Sequence, residues 1–392
     1  MTSGMQPARV AFYNNPKLRG IFYQIVLLIA VLWLGYEFIL NARDNLRAAR
    51  ITTGFGFLDA TAGFSINQTL IPYTESDTYG RVFVIGLLNT LLVAVIGIFF
   101  ATVFGFAIGI CRLSPNWLLQ RIAGAYVELI RNQPLLFQIL FWYLAVLGAL
   151  PGPRQSISIL GEIFISNRGA FIPRPIFSAG SELVLAVFAI TLLLGIALRF
   201  WAHRHQERTG RQFPVLWTAL VLIVGSTFAT LVATGFPISL EKPELRGFNF
   251  VGGVRVIPEL VALTIALVTY TAAFIAEIVR AGILAIPRGQ SEAAYSLGLR
   301  PGLALRLIIV PQALRVIIPP LTSQYLNLTK NSSLAVAIGY PDLFAVFAGT
   351  ALNQTGQAIE IIAITMAVYL AISLITSLLM NWYNARLRLM ER

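Results

Sequence analysis

The sequence predicts an all-α membrane protein, and three observations support that prediction. Hydrophobic residues make up 57% of the 392 residues, whereas charged residues make up only 12%, about half the share found in soluble domains. Apolar stretches of about twenty residues, the length that crosses a bilayer as a helix, recur along the chain. Short basic segments separate many of these stretches. We therefore interpret most of the apolar surface as lipid-facing.

About eight transmembrane helices are expected from the apolar stretches. The first stretch follows a basic N-terminal segment that contains Arg9, Lys17 and Arg19. Its apolar core is too long for a cleaved signal peptide, so it is interpreted as a membrane span. The candidate spans are Ile21–Leu40, Val82–Cys111, Ile122–Leu150, Leu183–Phe200, Pro214–Ala233, Ile257–Ile286, Ala304–Asn327 and Ile361–Tyr383.

The distribution of basic residues predicts that both termini are cytoplasmic. Positive side chains concentrate in the short loops on the inner side of a membrane, and eight spans put both termini on one side. The net charge of +12 is then explained by membrane orientation, and no nucleic-acid partner is expected. The arginines of the predicted inner loops and the C-terminal segment are Arg112, Arg121, Arg204, Arg208, Arg211, Arg386, Arg388 and Arg392.

A polar segment at about residues 288–319 separates the sixth and seventh spans. Ser291 is a candidate N-cap for a short helix there, and Glu292 suits the positive end of the helix dipole. Ala293, Ala294 and Gly298 leave this helix with few bulky side chains, so another backbone could approach it closely. Arg300-Pro301-Gly302 should end the helix. A second helical run is expected to end near Pro319-Pro320.

Polar residues inside predicted spans are the next candidates for function, because they are costly at membrane depth. Asn89 could line a substrate path or form a hydrogen bond with a neighbouring helix. Glu277 could bind a substrate ammonium group or neutralise Arg280, three residues later. Glu128 and Arg131 have the same spacing and are interpreted mainly as a structural ion pair.

The sequence NLTKNSS interrupts the apolar pattern after the seventh span. Asn331 and Ser332, next to Lys330, could present backbone amides and a cation to a carboxylate. A polar turn at the outer surface is the alternative. In the second span, Gly105 and Gly109 form a GxxxG pattern, which indicates close helix packing rather than transport.

Several function classes lack their signatures in this sequence. It contains no phosphate-binding G-x-x-x-x-G-K-[ST] loop and no evident catalytic cluster, so ATP should not bind to this chain. His203 and His205 have no neighbouring ligand set, so no metal or other cofactor site is expected. The single Cys111 excludes an internal disulfide.

The polar segment resembles the coupling motif of importer-type ABC permeases. The motif residues are Glu292-Ala293-Ala294, Gly298 and Ile308-Ile309-Val310-Pro311, with valine where leucine is usual. The stretches GLLNTLLVA, YVELIRNQPLLFQ, FIAEIVRAGI and SQYLNLTKNSSLAVAIGYPDL look like the polar amino-acid branch of these permeases. The similarity is greatest to general L-amino acid transporters.

The resemblance implies a type I importer permease with an extra N-terminal span and an inserted helix pair at about 183–234. Residues 1–78 would form the first span and a periplasmic loop, and residues 79–392 the permease domain. The implied partners are two ATPase subunits that hold ATP and Mg, a second homologous permease, and a periplasmic amino-acid-binding protein. The implied substrate pathway comprises Asn89, Glu277, Asn331 and Ser332. The implied ATPase-coupling residues are Glu292, Ala293, Ala294, Gly298 and Pro311.

Two alternatives remain open at this stage. The permease could serve a narrower class, such as glutamate and aspartate or basic amino acids. A secondary transporter is the other alternative, and it would carry its own ion-coupling carboxylates. A membrane-embedded enzyme would need a catalytic cluster that the sequence does not display.

Overall fold

The structure is a computed structural model that describes residues 16–48 and 54–387. Seven helices within these residues are long and apolar enough to cross a membrane, by length and composition. Arg9, Arg388 and Arg392, which were used for the predicted orientation, lie outside the described residues. The α-helices are α1 (Pro16–Ala48), α2 (Tyr79–Cys111), α3 (Trp117–Arg131), α4 (Leu135–Leu140), α5 (Ser181–Thr209), α6 (Val215–Ala233), α7 (Pro258–Leu284), α8 (Arg288–Ser296), α9 (Pro301–Ala304), α10 (Val310–Asn331), α11 (Leu352–Thr355) and α12 (Ala358–Leu387).

The predicted third span, Ile122–Leu150, is wrong as a single helix. Helix α3 ends at Arg131, and the shorter apolar helix Leu135–Leu147 begins after Pro134. Proline has no backbone N–H and fixes its own φ, so the helical hydrogen bonding cannot continue through it. The Gln138 side chain donates a 3.0 Å hydrogen bond to the carbonyl of Ile130, which lies near the end of α3. The other seven predicted spans correspond to long helices.

The predicted helix end at Pro319-Pro320 is also wrong, because α10 continues through both prolines to Asn331. Ile317, Ile318 and Leu321 are buried on one side, while the two prolines are exposed on the other. Packing of the buried face holds the helix together although two backbone donors are missing. Prolines are tolerated within membrane helices for this kind of reason.

Short β-strands, which the sequence analysis did not predict, occupy the two loops on either side of the inserted helix pair. A four-stranded antiparallel sheet has the order β1 (Ile157–Ile159), β2 (Ile163–Ser166), β3 (Gly169–Ile172) and β8 (Val254–Val256). Phe250 stacks on Phe164 and Phe171, with ring centroids 4.6 and 4.8 Å apart. Two further antiparallel pairs are present. β4 (Arg174–Phe177) pairs with β5 (Ile238–Glu241) although α5 and α6 lie between them in the sequence, and β6 (Glu244–Arg246) forms a hairpin with β7 (Asn249–Val251).

The chain divides into two compact units, and the first contains residues up to Thr90 together with Pro341–Thr376. Its core is aromatic: Phe347 packs against Phe57 and Phe83, with ring centroids 6.1 and 5.3 Å apart. A hydrogen bond of 2.7 Å joins the Tyr79 hydroxyl to the side-chain carbonyl of Gln354. The start of α2 and the loop before it are thereby tied to the later segment of this unit.

The second unit comprises Leu91–Tyr340 and Ser377–Arg392, and α7 provides more of its buried residues than any other helix described. Two glycines of α2 allow very close contact with α7. A β-carbon at Gly105 would lie 2.5 Å from the Ile275 side chain, and one at Gly109 would lie 2.8 Å from the Ala276 carbonyl oxygen. The interpretation of Gly105 and Gly109 as a close-packing pattern is therefore confirmed.

A Gly109→Leu substitution should destabilise the second unit. The added side chain has no room against α7, so the helices must separate, at a cost of about 1–3 kcal/mol. The matched control is Gly225→Leu, because a β-carbon at Gly225 in α6 meets nothing within 4 Å. Reversible unfolding in mixed detergent micelles measures both variants. Equal stability of the two variants would contradict the packing argument.

Candidate transport and coupling site

Helix α8, the candidate coupling helix, begins earlier than the sequence predicted. It spans Arg288–Ser296, with Pro287 at its N-cap position, so Ser291 lies inside the helix and does not cap it. Pro287 has an extended ψ of 137°, and its carbonyl accepts the Gln290 N–H at 3.0 Å. A proline can start a helix without losing a needed donor. The helix therefore begins after Pro287, although Ser291 is also a residue type favoured at helix N-termini.

Gly298 ends the coupling helix through its backbone conformation. Its φ is +76°, in the left-handed region that residues with a side chain rarely adopt. The Gly298 N–H reaches the carbonyl of Tyr295 at 2.9 Å, and the Leu299 N–H reaches that of Ala294 at 3.1 Å. These bonds resemble the glycine-based closure that satisfies the last carbonyls of a helix. Glycine adopts the backbone conformation of this turn at low cost, and it also leaves the surface here without a side chain.

The coupling helix presents most of its motif residues to solvent. Glu292, Ala293 and Gly298 are exposed, whereas Ala294 is buried. Leu297 is 80% exposed, and Tyr295 is exposed beside it. The sequence analysis missed Tyr295 and Leu297 as contact candidates. Their signal was available, because large apolar side chains in a segment kept outside the membrane usually mark an interaction surface.

Two contacts connect the coupling helix to the helices that follow. The Gln312 side chain donates to Gln290 Oε1 at 3.1 Å, joining α8 to the first turn of α10. Pro311, the last motif residue, lies in that same first turn. Between them, residues Leu305–Ile309 form a π-helical turn that runs into α10. Helix α9, the π-helical turn and α10 therefore follow one another without a break, whereas the turn at Gly298 separates them from α8.

Glu277 lies between two arginines. It accepts hydrogen bonds from Arg112, just after the end of α2, and from Arg280, on its own helix at 3.2 Å. The side chains are partly buried, with exposed fractions of 25% for Glu277, 15% for Arg112 and 31% for Arg280. Arg280 pairs with Glu277 as the sequence analysis considered, and Arg112 is a second partner that it did not predict. This geometry favours the ion-pair alternative, and a substrate-pathway role for Glu277 stays a prediction.

Asn89 is completely buried in the first unit. Its amide donates to the carbonyl of Gln68 at 2.9 Å and to that of Pro341 at 2.8 Å. The neighbouring Thr90 hydroxyl accepts the Leu343 N–H at 3.0 Å. These contacts hold the connection at Pro341–Leu343, which agrees with the hydrogen-bonding alternative for Asn89. Its role in a substrate path stays a prediction.

Asn331 and Ser332 lie in the second unit, where α10 passes into a 3₁₀ helix, Ser332–Ile338. The α-helix continues directly into the tighter 3₁₀ helix. The predicted free backbone amides would instead require a break in the helix followed by the start of a new one. Ser332 is fully buried, and its hydroxyl donates to the Thr329 carbonyl at 2.8 Å. Asn331 is partly exposed at the same junction. The roles of both residues in substrate passage remain predictions.

Three other polar contacts in the second unit differ from the sequence analysis. Arg131 places its guanidinium 5.1 Å from the centre of the Phe274 ring, and the described residues include no ion pair between it and Glu128. The hydroxyl groups of Thr102 and Tyr325 lie 2.8 Å apart, and Tyr143 donates to Glu259 at 3.0 Å. The tyrosines were missed because aromatic residues look apolar in a hydropathy pattern.

Asp342 is a buried carboxyl group that the sequence analysis also missed. It lies in the connection between two candidate spans, where it accepts the Ala345 N–H at 2.8 Å and the Tyr369 hydroxyl at 3.3 Å. Burial raises the pKa of Asp342 to about 6, although these hydrogen bonds act in the opposite direction. The carboxyl group therefore binds a proton more readily in the folded protein than in the unfolded chain.

An Asp342→Asn variant should lose a specific pH dependence of stability. Because the folded pKa is raised, the native protein gains stability from protonation below the unfolded pKa of 3.8 and loses it as pH rises to about 6. The stability of the variant relative to the native protein should therefore increase between about pH 4 and pH 6, then stay level. Thermal unfolding between pH 4 and pH 8 tests this. A constant difference across that range would contradict the assignment.

Comparison with known proteins identifies the architecture that carries these sites. Residues 97–389 match the family of binding-protein-dependent transport system inner membrane components. That match covers well over half of the chain. The chain belongs to this family of ABC importer permeases. The predicted fold class, a helical type I importer permease, is thereby confirmed.

Three relatives match nearly the whole chain. The general L-amino acid transport system permease protein AapQ of Rhizobium johnstonii is 51% identical, over 98% of this chain and 96% of its own. The putative amino-acid ABC transporter permease protein YhdX of Escherichia coli K12 is 53% identical, over 97% of both chains. The glutamate/glutamine/aspartate/asparagine permease BztB of Rhodobacter capsulatus is 44% identical, over 96% of both.

This permease is the membrane-spanning subunit of an ABC importer, and it is a transport component rather than an enzyme. It is a multi-span protein of the inner membrane. As an ABC importer subunit it functions together with an ATPase and other ABC components. The predicted identification of the family and the transport function are confirmed.

Proposed function

We propose that this permease translocates L-amino acids into the cell when a loaded binding protein docks outside and ATP is hydrolysed inside. The observation that carries the proposal is the exposed helix α8, which ends in the Gly298 turn and is joined to the first turn of α10 by the hydrogen bond between Gln290 and Gln312. The substrate class is supported by the names of the relatives, two of which are called amino-acid permeases and one a permease for four acidic and amide amino acids.

The proposed assembly contains two ATPase subunits, a second homologous permease and a periplasmic amino-acid-binding protein. ATP and Mg²⁺ would be held by the ATPase subunits. Both termini would be cytoplasmic, so the coupling helix would face the ATPase. The exposed Leu297 and Tyr295 supply apolar surface suited to a protein cleft, while the buried Ala294 packs the helix onto the permease.

The proposed mechanism is alternating access. Movement of the ATPase pair would displace α8, and the hydrogen bond between Gln290 and Gln312 would transmit the displacement to α10. Helix α10 ends at Asn331 and Ser332, two of the proposed substrate-path residues. Asn89 and Glu277 complete that proposed path. Helices are rigid enough to transmit displacement along their axes with little internal deformation, which supports transmission through α10.

Uptake of a labelled amino acid, competed by a panel of other amino acids, tests the proposed function. The cells lack other amino-acid uptake systems and express the permease with its ATPase and binding protein. Competition by neutral, acidic and basic L-amino acids is the expected result. Competition by one chemical class alone would establish the narrower permease instead. Uptake without the ATPase, driven by an ion gradient, would contradict an ABC mechanism.

A further inference from the structure

A cavity of about 650 Å³, lined by both charged and apolar side chains, lies within the second unit at the ends of α2, α3 and α7. No residue of the proposed substrate path lines it, although Glu277 pairs with two of the arginines that do. Arg112 lies just after α2, Arg121 belongs to α3 and Arg280 belongs to α7, so each of three helices contributes a guanidinium group. Glu128 and Trp117 of α3 also line the cavity.

The charged groups around the cavity do not neutralise one another completely, so the cavity could bind one more anion. Arg112 and Arg280 share the single carboxylate of Glu277, and Arg121 and Glu128 carry opposite charges. Three guanidinium groups and two carboxylates leave one net positive charge. A guanidinium group has five N–H donors in a planar fork that matches phosphate oxygen atoms. A phosphodiester with one negative charge would neutralise the cluster.

The surroundings of the cavity indicate that the phosphodiester belongs to a lipid. Leu118, Ile122 and Leu129 form an exposed apolar strip along α3, next to the polar face that lines the cavity. Trp117 is 69% exposed at the start of that helix. Tryptophan is enriched at membrane interfaces, and an amphipathic helix places its apolar strip at the acyl-chain boundary. Acyl chains could lie along the strip while the headgroup enters the cavity.

We propose that this cavity binds the phosphate headgroup of an anionic membrane phospholipid. Basic pockets between helices at the membrane surface are suited to such headgroups. The bound lipid links the ends of α2, α3 and α7, and on the orientation proposed above it belongs to the cytoplasmic leaflet. The test measures lipid binding to the purified permease, so its outcome does not depend on which substrate is transported.

Native mass spectrometry of the purified full-length permease tests the site. Phosphatidylglycerol and phosphatidylethanolamine with identical acyl chains are titrated separately, and phosphatidylglycerol should bind more tightly. Arg121→Gln should weaken phosphatidylglycerol binding about fivefold, since one arginine near a membrane surface contributes on the order of 1 kcal/mol. Arg208→Gln is the matched control, because Arg208 is an exposed arginine near the end of α5 and does not line the cavity.

A second variant distinguishes loss of the site from loss of folding. Glu128→Gln removes a negative charge from the cavity and should strengthen phosphatidylglycerol binding, an effect that misfolding would not produce. Equal binding by native protein, Arg121→Gln and Glu128→Gln would overturn the proposal. Displacement of the lipid by millimolar inorganic phosphate would also overturn it, because the cavity would then be a site for a soluble anion.

Discussion

Replacement of Gly298 by aspartate should abolish amino-acid uptake and substrate-stimulated ATP hydrolysis while leaving the permease in the membrane. Aspartate tolerates the left-handed conformation better than most residues, so the φ of +76° should cost about 1 kcal/mol and allow folding. The larger effect is on docking. A β-carbon at Gly298 points into open space, where the ATPase cleft is proposed to lie. The charged side chain would occupy that space and add an unpaired carboxylate to it.

Gly302→Asp is the matched control for this prediction. Gly302 lies four residues away in α9, and a β-carbon there also meets nothing within 4 Å, but its φ is not in the left-handed region. Uptake by the Gly302→Asp variant should remain near the native level. Membrane abundance is measured for both variants. If the Gly298→Asp variant retained both uptake and stimulated hydrolysis at normal abundance, α8 would not be the coupling element.

Replacement of Glu277 by glutamine should destabilise the permease more than it changes substrate affinity. The substitution leaves Arg112 and Arg280 facing each other without their shared carboxylate. Breaking a fully buried pair costs about 3–5 kcal/mol. Because these side chains are partly exposed, a loss of about 1–3 kcal/mol is expected. Reversible unfolding in mixed micelles measures the loss, and uptake kinetics measure KM.

The double variant Arg112→Gln with Glu277→Gln provides the decisive comparison. Removing one guanidinium together with the carboxylate eliminates the repulsion, so part of the lost stability should return. A structural pair predicts that recovery and an unchanged KM. A large increase in KM, with native stability in the single variant, would instead assign Glu277 to the substrate path. This experiment therefore decides between the two interpretations of Glu277 that the sequence left open.

Hydropathy and motif spacing predicted the elements whose signals are local. The long apolar stretches identify seven of the eight proposed spans, and the short helix predicted around Glu292 is present as α8. The boundaries were less accurate where two local signals competed. Ser291 is a favoured N-cap, but Pro287 starts the helix a turn earlier. Pro134 divides an apolar stretch that composition alone presents as continuous.

Contacts between distant parts of the chain were beyond sequence reasoning. Arg112 and Glu277 are 165 residues apart, so nothing in the sequence indicates that one neutralises the other. The pairing of β3 with β8 was missed for the same reason, because two long helices separate these strands in the sequence. A weak signal did exist, because Ile157, Ser158 and Ile159 alternate apolar and polar residues. With only a few residues in each strand, that alternation is too short to predict a sheet.

The central claim is that this permease moves substrate only when an ATPase acts on its inner face. The most direct test reconstitutes the permeases in liposomes with binding protein and labelled amino acid, with and without the ATPase subunits. Accumulation against the gradient should require both ATPase and ATP, and should be absent when only an ion gradient is imposed. Accumulation by the permeases alone under an ion gradient would contradict the account.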